Sequence, residues 1–339
     1  MNITVFSAYP FERPYLAEAA QGRFQLHFVS DALTLETAAL AQGSTAVAVF
    51  VNDDASAPVL ERLAALGVRY LLVRADGHDQ VDLPAANRLG LRVANVPNYS
   101  PFAIAEHALA LMLALSRHLQ QSDAQVHRAD FRLDNLVGFN LHGKTVGLIG
   151  CGIIGGTLAG LLHGFGCRLL GTDMLEDDTL RRRYGLEYVP LDTLCQFSDI
   201  ISVHAPLTPA THHLLNAAQL AKMKRGVMLI NTSRGAILDT EAALAALDTG
   251  QLGYLGLDVY ENEKGLFFND HSDQPLQDKL LERLLSLPNV LITGHQGFLT
   301  QEALTSITTT SLATLDEWLA GRRPDNELTS ATAHACTPA

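Results

Sequence analysis

Residues 145–166 read TVGLIGCGIIGGTLAGLLHGFG, an apolar run that ends in glycines and continues as a helical pattern. Three of the glycines, Gly150, Gly152 and Gly155, have the GxGxxG spacing. In a strand–turn–helix unit the first permits the tight turn, the second lets a pyrophosphate approach the backbone, and the third lets the helix pack on the strand. The stretch therefore predicts a dinucleotide site in which the amides and positive dipole end of the helix hold the phosphates.

The next apolar run, RLLGTD, ends in an acidic residue. Asp173 lies 173 − 155 = 18 residues after the last glycine of the motif. A carboxylate here accepts hydrogen bonds from the adenosine ribose and repels a 2′-phosphate, so we expect NAD rather than NADP. Ile153 and Ile154, which open the helix, are included in the predicted cofactor site. The alternative is a glycine turn with a purely structural role.

Apolar runs alternate with helical patterns on both sides of this stretch, which favours parallel strands joined by crossover helices. The runs after Lys144 are almost continuously apolar, as expected for strands covered on both faces. The predicted fold class is α/β, with two Rossmann-like, doubly wound parallel sheets. The predicted strands are ITVF (3–6), AVAVFV (46–51), YLLV (70–73), LRVANV (91–96), TVGLIG (145–150), RLLGTD (168–173), DIISVHAP (199–206), GVMLINTSRG (226–235), LGLDVYE (255–261) and NVLITGH (289–295).

A helical segment, residues 101–121, separates the two sets of strands and carries apolar residues on more than one face. Such a helix has to be buried, so we predict that it bridges two domains and contributes to a dimer interface. A length of 339 residues also favours two domains.

The composition excludes several classes of partner. The chain has 24 Lys and Arg against 36 Asp and Glu, and a net charge of −12 repels nucleic acid. No signal-peptide pattern and no run of roughly 20 apolar residues is evident, so we expect a cytoplasmic protein with no membrane partner. The four cysteines show no CxxC pair and no His clustering at metal-ligand spacing, which predicts reduced thiols and no metal; they are Cys151, Cys167, Cys195 and Cys336.

Three polar residues follow predicted strands of the second set, where ligands bind in open α/β sheets. With NAD bound, reduction of a ketone needs a proton donor, a cation for a substrate carboxylate, and an anion beside the donor. His295, Arg234 and a carboxylate within ENE (261–263) have these properties. The alternatives are a structural histidine, a surface arginine, and a solvated loop in which Glu263 pairs with Lys264.

Three separated motifs, NTSRG at 231, LDVYENE at 257 and TGHQGFLT at 293, resemble the D-2-hydroxyacid dehydrogenase family. The spacings also agree, with 263 − 234 = 29 residues from Arg to Glu and 295 − 263 = 32 from Glu to His. The resemblance runs from the first strand to about Leu328. FVNDD (50–54) and HQGFLTQEALTSI (295–307) are most similar to fermentative D-lactate dehydrogenases of bacteria.

The resemblance implies a role for each catalytic residue. His295 is expected to be the general acid for pyruvate reduction and the base for lactate oxidation, with Glu263 as its partner. Arg234 is expected to hold the substrate carboxylate and polarise the carbonyl, while Tyr99 and Phe298 line the substrate pocket. The implied cofactor contacts beyond the glycine motif and Asp173 are His204, Ala205, Pro206, Thr211, Thr232, Ser233, Arg234 and Asp258.

The resemblance also implies an organisation. A discontinuous substrate domain, residues 1–100 plus 299–339, is expected to enclose an active-site cleft with an NAD-binding domain, residues 101–298. A homodimer or homotetramer is expected.

One loop departs from the family. In RADGHDQVD (74–82), Asp76 precedes Gly77 and His78 follows it, where the family has a small residue before x-Gly and an apolar or aromatic residue after it. A carboxylate facing the site would disfavour pyruvate by on the order of 1 kcal/mol or more, whereas a loop that presents only its backbone would not. Asp76 and Gly77 remain predicted substrate contacts.

Two other functions remain as alternatives. The first is a sister dehydrogenase acting on glyoxylate, hydroxypyruvate or a bulkier 2-keto acid. The second is an NAD-sensing corepressor-like protein, which long interaction tails would favour.

Overall fold

The computed structural model describes residues 1–329 and contains two parallel β-sheets. The chain divides into two units. Unit 1 comprises Met1–Ser100 together with the chain from Leu299, and unit 2 comprises Pro101–Phe298.

Unit 1 contains a five-stranded sheet in the order β2-β1-β3-β4-β5, and every pairing between these strands is parallel. The strands are β1 (Asn2–Val5), β2 (Gln25–Phe28), β3 (Ala46–Val49), β4 (Tyr70–Val73) and β5 (Arg92–Ala94). The helices are α1 (Arg13–Ala20), α2 (Ala57–Ala65), α3 (Leu83–Leu89) and, after unit 2, α12 (Gln301–Leu319), with a 3-10 turn at Thr37–Ala41.

Helices cover both faces of this sheet. Along β3, Ala46 and Ala48 face the cluster that contains α1 and α12, whereas Val47 and Val49 face the cluster that contains α2 and α3. Successive strand residues point to opposite faces, so a strand covered on both faces needs apolar residues at every position. This explains the continuous apolar run in the sequence.

Unit 2 contains a seven-stranded parallel sheet in the order β12-β11-β10-β9-β6-β7-β8. Its strands are β6 (Thr145–Ile149), β7 (Arg168–Thr172), β8 (Glu187–Tyr188), β9 (Ile200–Val203), β10 (Val227–Asn231), β11 (Leu252–Leu257) and β12 (Val290–Ile292). Its helices are α4 (Pro101–Ser116), α5 (Leu119–Val126), α6 (Ile153–Gly164), α7 (Asp178–Tyr184), α8 (Leu191–Phe197), α9 (Ala217–Lys222), α10 (Thr240–Asp248) and α11 (Lys279–Leu285), with a 3-10 turn at Gly235–Ile237.

The order of strands in unit 2 reverses between β6 and β9. The chain builds outward from β6 through β7 to β8 and then returns to place β9 on the other side of β6. Such a reversal opens a crevice outside the carboxyl ends of the two central strands. The segments that follow β6 and β9 therefore meet at this crevice.

The helical segment predicted over residues 101–121 is broken in the structure. α4 ends at Ser116, and α5 starts after His118, whose φ of 51° lies in the left-handed region. α4 belongs to unit 2, where Leu111 and Met112 pack in the core with α6 and β10. Among residues 1–329, no single helix is long and apolar enough to cross a membrane. Only α4 and α5 taken together reach that length and apolar character, and they are bent by 61° at the break between them.

Candidate active site

The glycine turn after β6 packs directly against the segment after β9. Gly150 has a φ of 90°, and a Cβ added to it would lie 2.6 Å from the backbone nitrogen of Ala205. A Cβ on Gly155 would lie 2.1 Å from the carbonyl oxygen of Gly150. Both glycines are therefore required by the fold, Gly150 for its conformation and Gly155 for the contact between turn and helix.

Gly152 differs from these two glycines. An added Cβ would meet nothing within 4 Å, so no protein group demands a glycine here. Gly152 is the N-cap of α6 and supplies no side-chain cap to the amides of the first turn. Uncapped amides at a helix N-terminus bind anions, and a bare backbone lets a phosphate come close. The residues present thus fit the pyrophosphate of a dinucleotide, with Ile153 and Ile154 in the first turn of α6.

Asp173 follows β7, next to the glycine turn. Its Oδ2 accepts a hydrogen bond from the amide of Cys151 at 2.6 Å, and its Oδ1 accepts one from the amide of Leu175 at 3.0 Å. The carboxylate is exposed to solvent and held by backbone amides. This geometry fits the predicted contact with a ribose. Cys151 itself is a buried free thiol, as are Cys167 and Cys195, whereas Cys336 lies outside the described residues.

The segment after β9 is held by its own hydrogen bonds. Nε2 of His204 lies 2.8 Å from Oγ of Ser202, and its buried Nδ1 has no hydrogen-bond partner among the described residues. Burial lowers the pKa of His204 to about 4, so the imidazole is neutral at pH 7. Thr211 closes the turn by donating from Oγ1 to the carbonyl of Pro206 at 2.6 Å.

The segment after β10 carries a second buried polar atom without a partner. Oγ1 of Thr232 is buried and makes no hydrogen bond within the described part of the chain. Next to it, Oγ of Ser233 donates to the carbonyl of Ala205, which ties this segment to the one after β9. An orphaned hydroxyl in a buried position fits a site completed by a bound ligand.

His295 and Glu263 form a hydrogen-bonded pair. Nδ1 of His295 lies 2.9 Å from Oε1 of Glu263, and their side chains are 16% and 26% exposed. Because a carboxylate is only an acceptor, Nδ1 carries the hydrogen and Nε2 is the nitrogen that can gain or lose a proton. Oε2 of Glu263 accepts from the amide of Tyr260 at 3.0 Å, which orients the carboxylate. The pair can therefore act as a general acid and base.

Asp258 fixes the loop that carries His295. Its carboxylate accepts hydrogen bonds from the hydroxyl of Thr293 at 2.6 Å and from the amides of Gln296 and Gly297 at 2.9 and 2.8 Å. Its backbone carbonyl accepts from the amide of His295 at 2.8 Å. Burial alone raises the pKa of Asp258, but hydrogen bonds, above all those from His107 and Thr293, hold that pKa below its ordinary value. The buried carboxylate is thus ionised at pH 7.

Arg234 lies at the turn after β10. Its Nη1 donates to the carbonyl of Ser233 at 2.9 Å, and its own carbonyl accepts from Nδ2 of Asn231 at 2.9 Å. A Cβ on the next residue, Gly235, would lie 2.1 Å from the carbonyl carbon of Tyr260. This contact sets the backbone that follows Arg234 against the segment that leads to Glu263.

The predicted substrate loop lies in unit 1. Asp76 is exposed, and its backbone carbonyl accepts a hydrogen bond from Nδ2 of Asn95 at 2.6 Å and lies 3.2 Å from Nδ1 of His78. Gly77 and Tyr99 also belong to unit 1, whereas Phe298 ends unit 2 and is buried. The roles of Asp76, Gly77, Tyr99 and Phe298 in substrate binding remain predictions.

Two side chains near this network, His107 and Phe268, were not predicted from the sequence. Nε2 of His107, on α4, lies 2.9 Å from Oγ1 of Thr293 and 3.2 Å from Oδ1 of Asp258. Phe268 places its ring 5.8 Å from that of His295. The only signal for His107 is a polar residue within an apolar helix, and Phe268 follows the ENE motif by five residues.

Comparison with known proteins places this geometry in a family context. Residues 109–297 match the family model described as "D-isomer specific 2-hydroxyacid dehydrogenase, NAD binding domain". The chain is 47% identical to a D-lactate dehydrogenase of Escherichia coli (strain K12) over 329 residues, which are 97% of this chain and all of that protein.

Solved structures agree with the sequence comparison. The fold matches the apo-structure of D-lactate dehydrogenase from Escherichia coli with a TM-score of 0.89 at 45% identity, covering 97% of this chain and all of that one. It matches a structure reported for the pyruvate reductase of Chlamydomonas reinhardtii with a TM-score of 0.91 at 41% identity, covering 96% of this chain and 98% of that one.

Proposed function

Because the chain belongs to the family of D-isomer specific 2-hydroxyacid dehydrogenases, which are NAD-dependent oxidoreductases, we propose that it is a D-lactate dehydrogenase that reversibly reduces pyruvate to D-lactate. The fold and the NAD cofactor follow from the family. The choice of pyruvate follows from the relatives named above and from the motifs around residues 50–54 and 295–307.

The hydrogen-bonded pair of His295 and Glu263 carries the proposal. When NADH is bound it supplies a hydride to the carbonyl carbon of the keto acid. Nε2 of His295 donates a proton to the carbonyl oxygen as the hydroxyl forms, and takes it back in the reverse direction. Glu263 stabilises the imidazolium and fixes the ring through Nδ1, so that Nε2 remains available for the proton.

Arg234 has a different role in this proposal. Its guanidinium would hold the carboxylate of the keto acid through two parallel hydrogen bonds and polarise the neighbouring carbonyl. A 2-keto acid presents both groups on adjacent carbons, so one cation can act on both. This requirement restricts the substrate class to acids with a carbonyl at C2.

Turnover of a panel of 2-keto acids with NADH tests the substrate. Pyruvate, glyoxylate, hydroxypyruvate and a bulkier 2-keto acid should be compared by kcat/KM, and the chirality of the lactate product determined with a stereospecific assay. We expect pyruvate among the best substrates and D-lactate as the product. A clear preference for another acid would assign the chain to a sister dehydrogenase, and production of L-lactate would contradict the proposal.

The proposal extends to the roles of the two units, the cellular compartment and the oligomeric state. We propose that unit 1 contributes contacts to the substrate, and that unit 2 binds the cofactor and carries Arg234, Glu263 and His295. We also propose that the enzyme acts in the cytoplasm during fermentation as a homodimer or homotetramer. Exposed apolar side chains between residues 119 and 137 of unit 2 support an oligomer, since exposed apolar surface marks protein interfaces; they are Leu119, Val126, Phe131, Leu133 and Val137. Light scattering after size-exclusion chromatography would determine the number of subunits.

A further inference from the structure

Two consecutive histidines and a glutamate come together outside the pair of His295 and Glu263. Nε2 of His213 lies 2.6 Å from Oε1 of Glu261, and the ring of His212 stacks on that of His213 with a centroid separation of 4.2 Å. One ligand atom from each of the three residues lies within 4.8 Å of the others. Within residues 1–329, these three are the one group of His, Cys, Asp or Glu side chains whose potential ligand atoms lie close enough together to bind a metal ion.

The backbone explains why both rings lie on one side. His213 has a φ of 48°, in the left-handed region. In an extended chain neighbouring side chains point in opposite directions, whereas this conformation turns the second ring toward the first. The amide of His213 donates to the carbonyl of Ala236 at 2.8 Å, which holds the conformation in place.

Glu261 is already oriented as a metal ligand would be. Its Oε2 accepts a hydrogen bond from Oγ1 of Thr240 at 2.9 Å, while Oε1 faces His213. Hydrogen bonds that orient ligand side chains are typical of metal sites. A metal ion would replace the proton shared between the imidazole of His213 and Oε1.

We propose that His212, His213 and Glu261 bind a divalent transition metal, of which Zn²⁺ is the representative. Two imidazoles and one carboxylate suit Zn²⁺, with a fourth position left to water. Tetrahedral coordination with bonds of about 2.0–2.1 Å separates ligand atoms by about 3.4 Å. The exposed side chain of His212 can turn to shorten its distance to the other two ligands, whereas Nε2 of His213 and Oε1 of Glu261, which lie 2.6 Å apart, would move apart to admit the ion.

The metal would join two segments that are distant in sequence. His212 and His213 lie in the segment between β9 and α9, and Glu261 lies 48 residues beyond His213. A ligand that binds only the folded state stabilises it by mass action. Occupancy should therefore raise the melting temperature of the protein.

Calorimetric titration of untagged, EDTA-treated and dialysed protein with Zn²⁺ tests the proposal. We expect one equivalent to bind, Mg²⁺ not to compete because it prefers oxygen ligands in octahedral geometry, and Zn²⁺ to raise the melting temperature. His212→Asn should weaken binding at least tenfold and reduce the thermal shift at a fixed Zn²⁺ concentration accordingly. Thr240→Val, which removes only the hydroxyl that orients Glu261, should weaken binding by about 10- to 100-fold.

A matched control distinguishes this cluster from general attraction of cations to an acidic protein. His127 is an exposed imidazole whose Nδ1 lies 3.4 Å from the carboxylate of Asp123. His127→Asn should leave both the affinity for Zn²⁺ and the thermal shift unchanged. Equal affinity in wild type and His212→Asn, or displacement of Zn²⁺ by Mg²⁺, would overturn the proposal. The measurement requires no turnover, so its outcome does not depend on the function proposed above.

Discussion

His295 holds a backbone conformation that few residues adopt. Its φ of 54° lies in the left-handed region, where a residue other than glycine costs on the order of 1–3 kcal/mol. The amide of His295 is held by the carbonyl of Asp258, and its ring is held by Glu263. The strain is thus maintained by the contacts that also aim the imidazole.

Replacing His295 by alanine should lower kcat by about 10²- to 10⁴-fold, because general acid catalysis contributes that much. Stopped-flow or steady-state turnover with pyruvate measures the change, and fluorescence titration with NADH provides the control. Binding of NADH should remain nearly intact. A turnover number equal to that of the wild type would remove His295 from the mechanism.

Replacing Arg234 by lysine should mainly raise KM for the keto acid, because an ammonium cannot reproduce the bidentate contact with a carboxylate. Steady-state kinetics at saturating NADH separates this effect from a change in cofactor binding. If KM for pyruvate is unchanged, the carboxylate is held by another group.

Gly152 and Gly155 should respond differently to alanine. Gly152→Ala should weaken binding of NADH with only a small loss of stability, because the added Cβ meets nothing within 4 Å and only the N-cap preference for glycine is lost. Gly155→Ala should destabilise the protein, because its Cβ would lie 2.1 Å from a backbone oxygen. NADH titration and thermal unfolding of both variants check this, and equal loss of stability in the two would contradict the role given to Gly152.

At the scale of elements, three parts of unit 2 meet at Asp258. The carboxylate of Asp258, after β11, accepts hydrogen bonds from two amides of the loop after β12 and lies 3.2 Å from Nε2 of His107 on α4. The hydroxyl of Thr293 donates to Asp258, so it accepts from Nε2 of His107. The network therefore connects a core helix to the loop that carries His295.

Thr293→Val should destabilise the protein by about 1 kcal/mol and lower kcat, because it removes the hydroxyl between His107 and Asp258 without changing the shape of the side chain. Urea unfolding and turnover measure the two effects. Thr293→Ser, which keeps the hydroxyl, should retain most of the stability and most of the kcat that Thr293→Val loses. Failure of serine to restore kcat would indicate that packing of the methyl group, not the network, supports the loop.

The central strands could be predicted from the sequence, but two edge strands could not. β3 and β9 are buried at every position, and burial on both faces demands an unbroken apolar run. β2 lies at an edge with alternating exposed and half-buried residues, and β8 has only two residues. Neither β2 nor β8 has a fully buried residue, so their sequences lack an unbroken apolar run, whereas the edge strands β5 and β12 contain buried apolar residues and were predicted.

The same distinction applies to the site. The glycine motif and Asp173 could be predicted because their spacing is local and each residue type has a physical reason. Contacts such as His107 with Thr293, 186 residues apart, and His213 with Glu261 depend on tertiary packing. The break at His118 was missed because a left-handed residue other than glycine leaves no clear mark in the sequence.

At the scale of the whole molecule, binding of the cofactor should increase the free energy of unfolding. NADH at 100 times its Kd should stabilise the protein by about 2.7 kcal/mol, since it binds the folded state. NADPH at the same concentration should stabilise it less, because Asp173 repels the 2′-phosphate. Thermal unfolding with each cofactor tests this, and Asp173→Ala should narrow the difference. Equal stabilisation of the wild type by both would show that Asp173 does not discriminate.

Unit 1 is interrupted in the chain, which affects how the protein is made. The polypeptide leaves this unit after Ser100 and returns at Leu299, so 298 − 101 + 1 = 198 residues intervene. A ribosome adding about 5–20 residues per second needs about 10–40 s to cross them. Until α12 emerges, Ile3 and Val5 lack the apolar partners Leu312 and Leu315 that cover them in the finished core. The part of unit 1 that ends at Ser100 is therefore translated before unit 2 but completes its core only after unit 2, and its uncovered apolar face is open to aggregation in the interval.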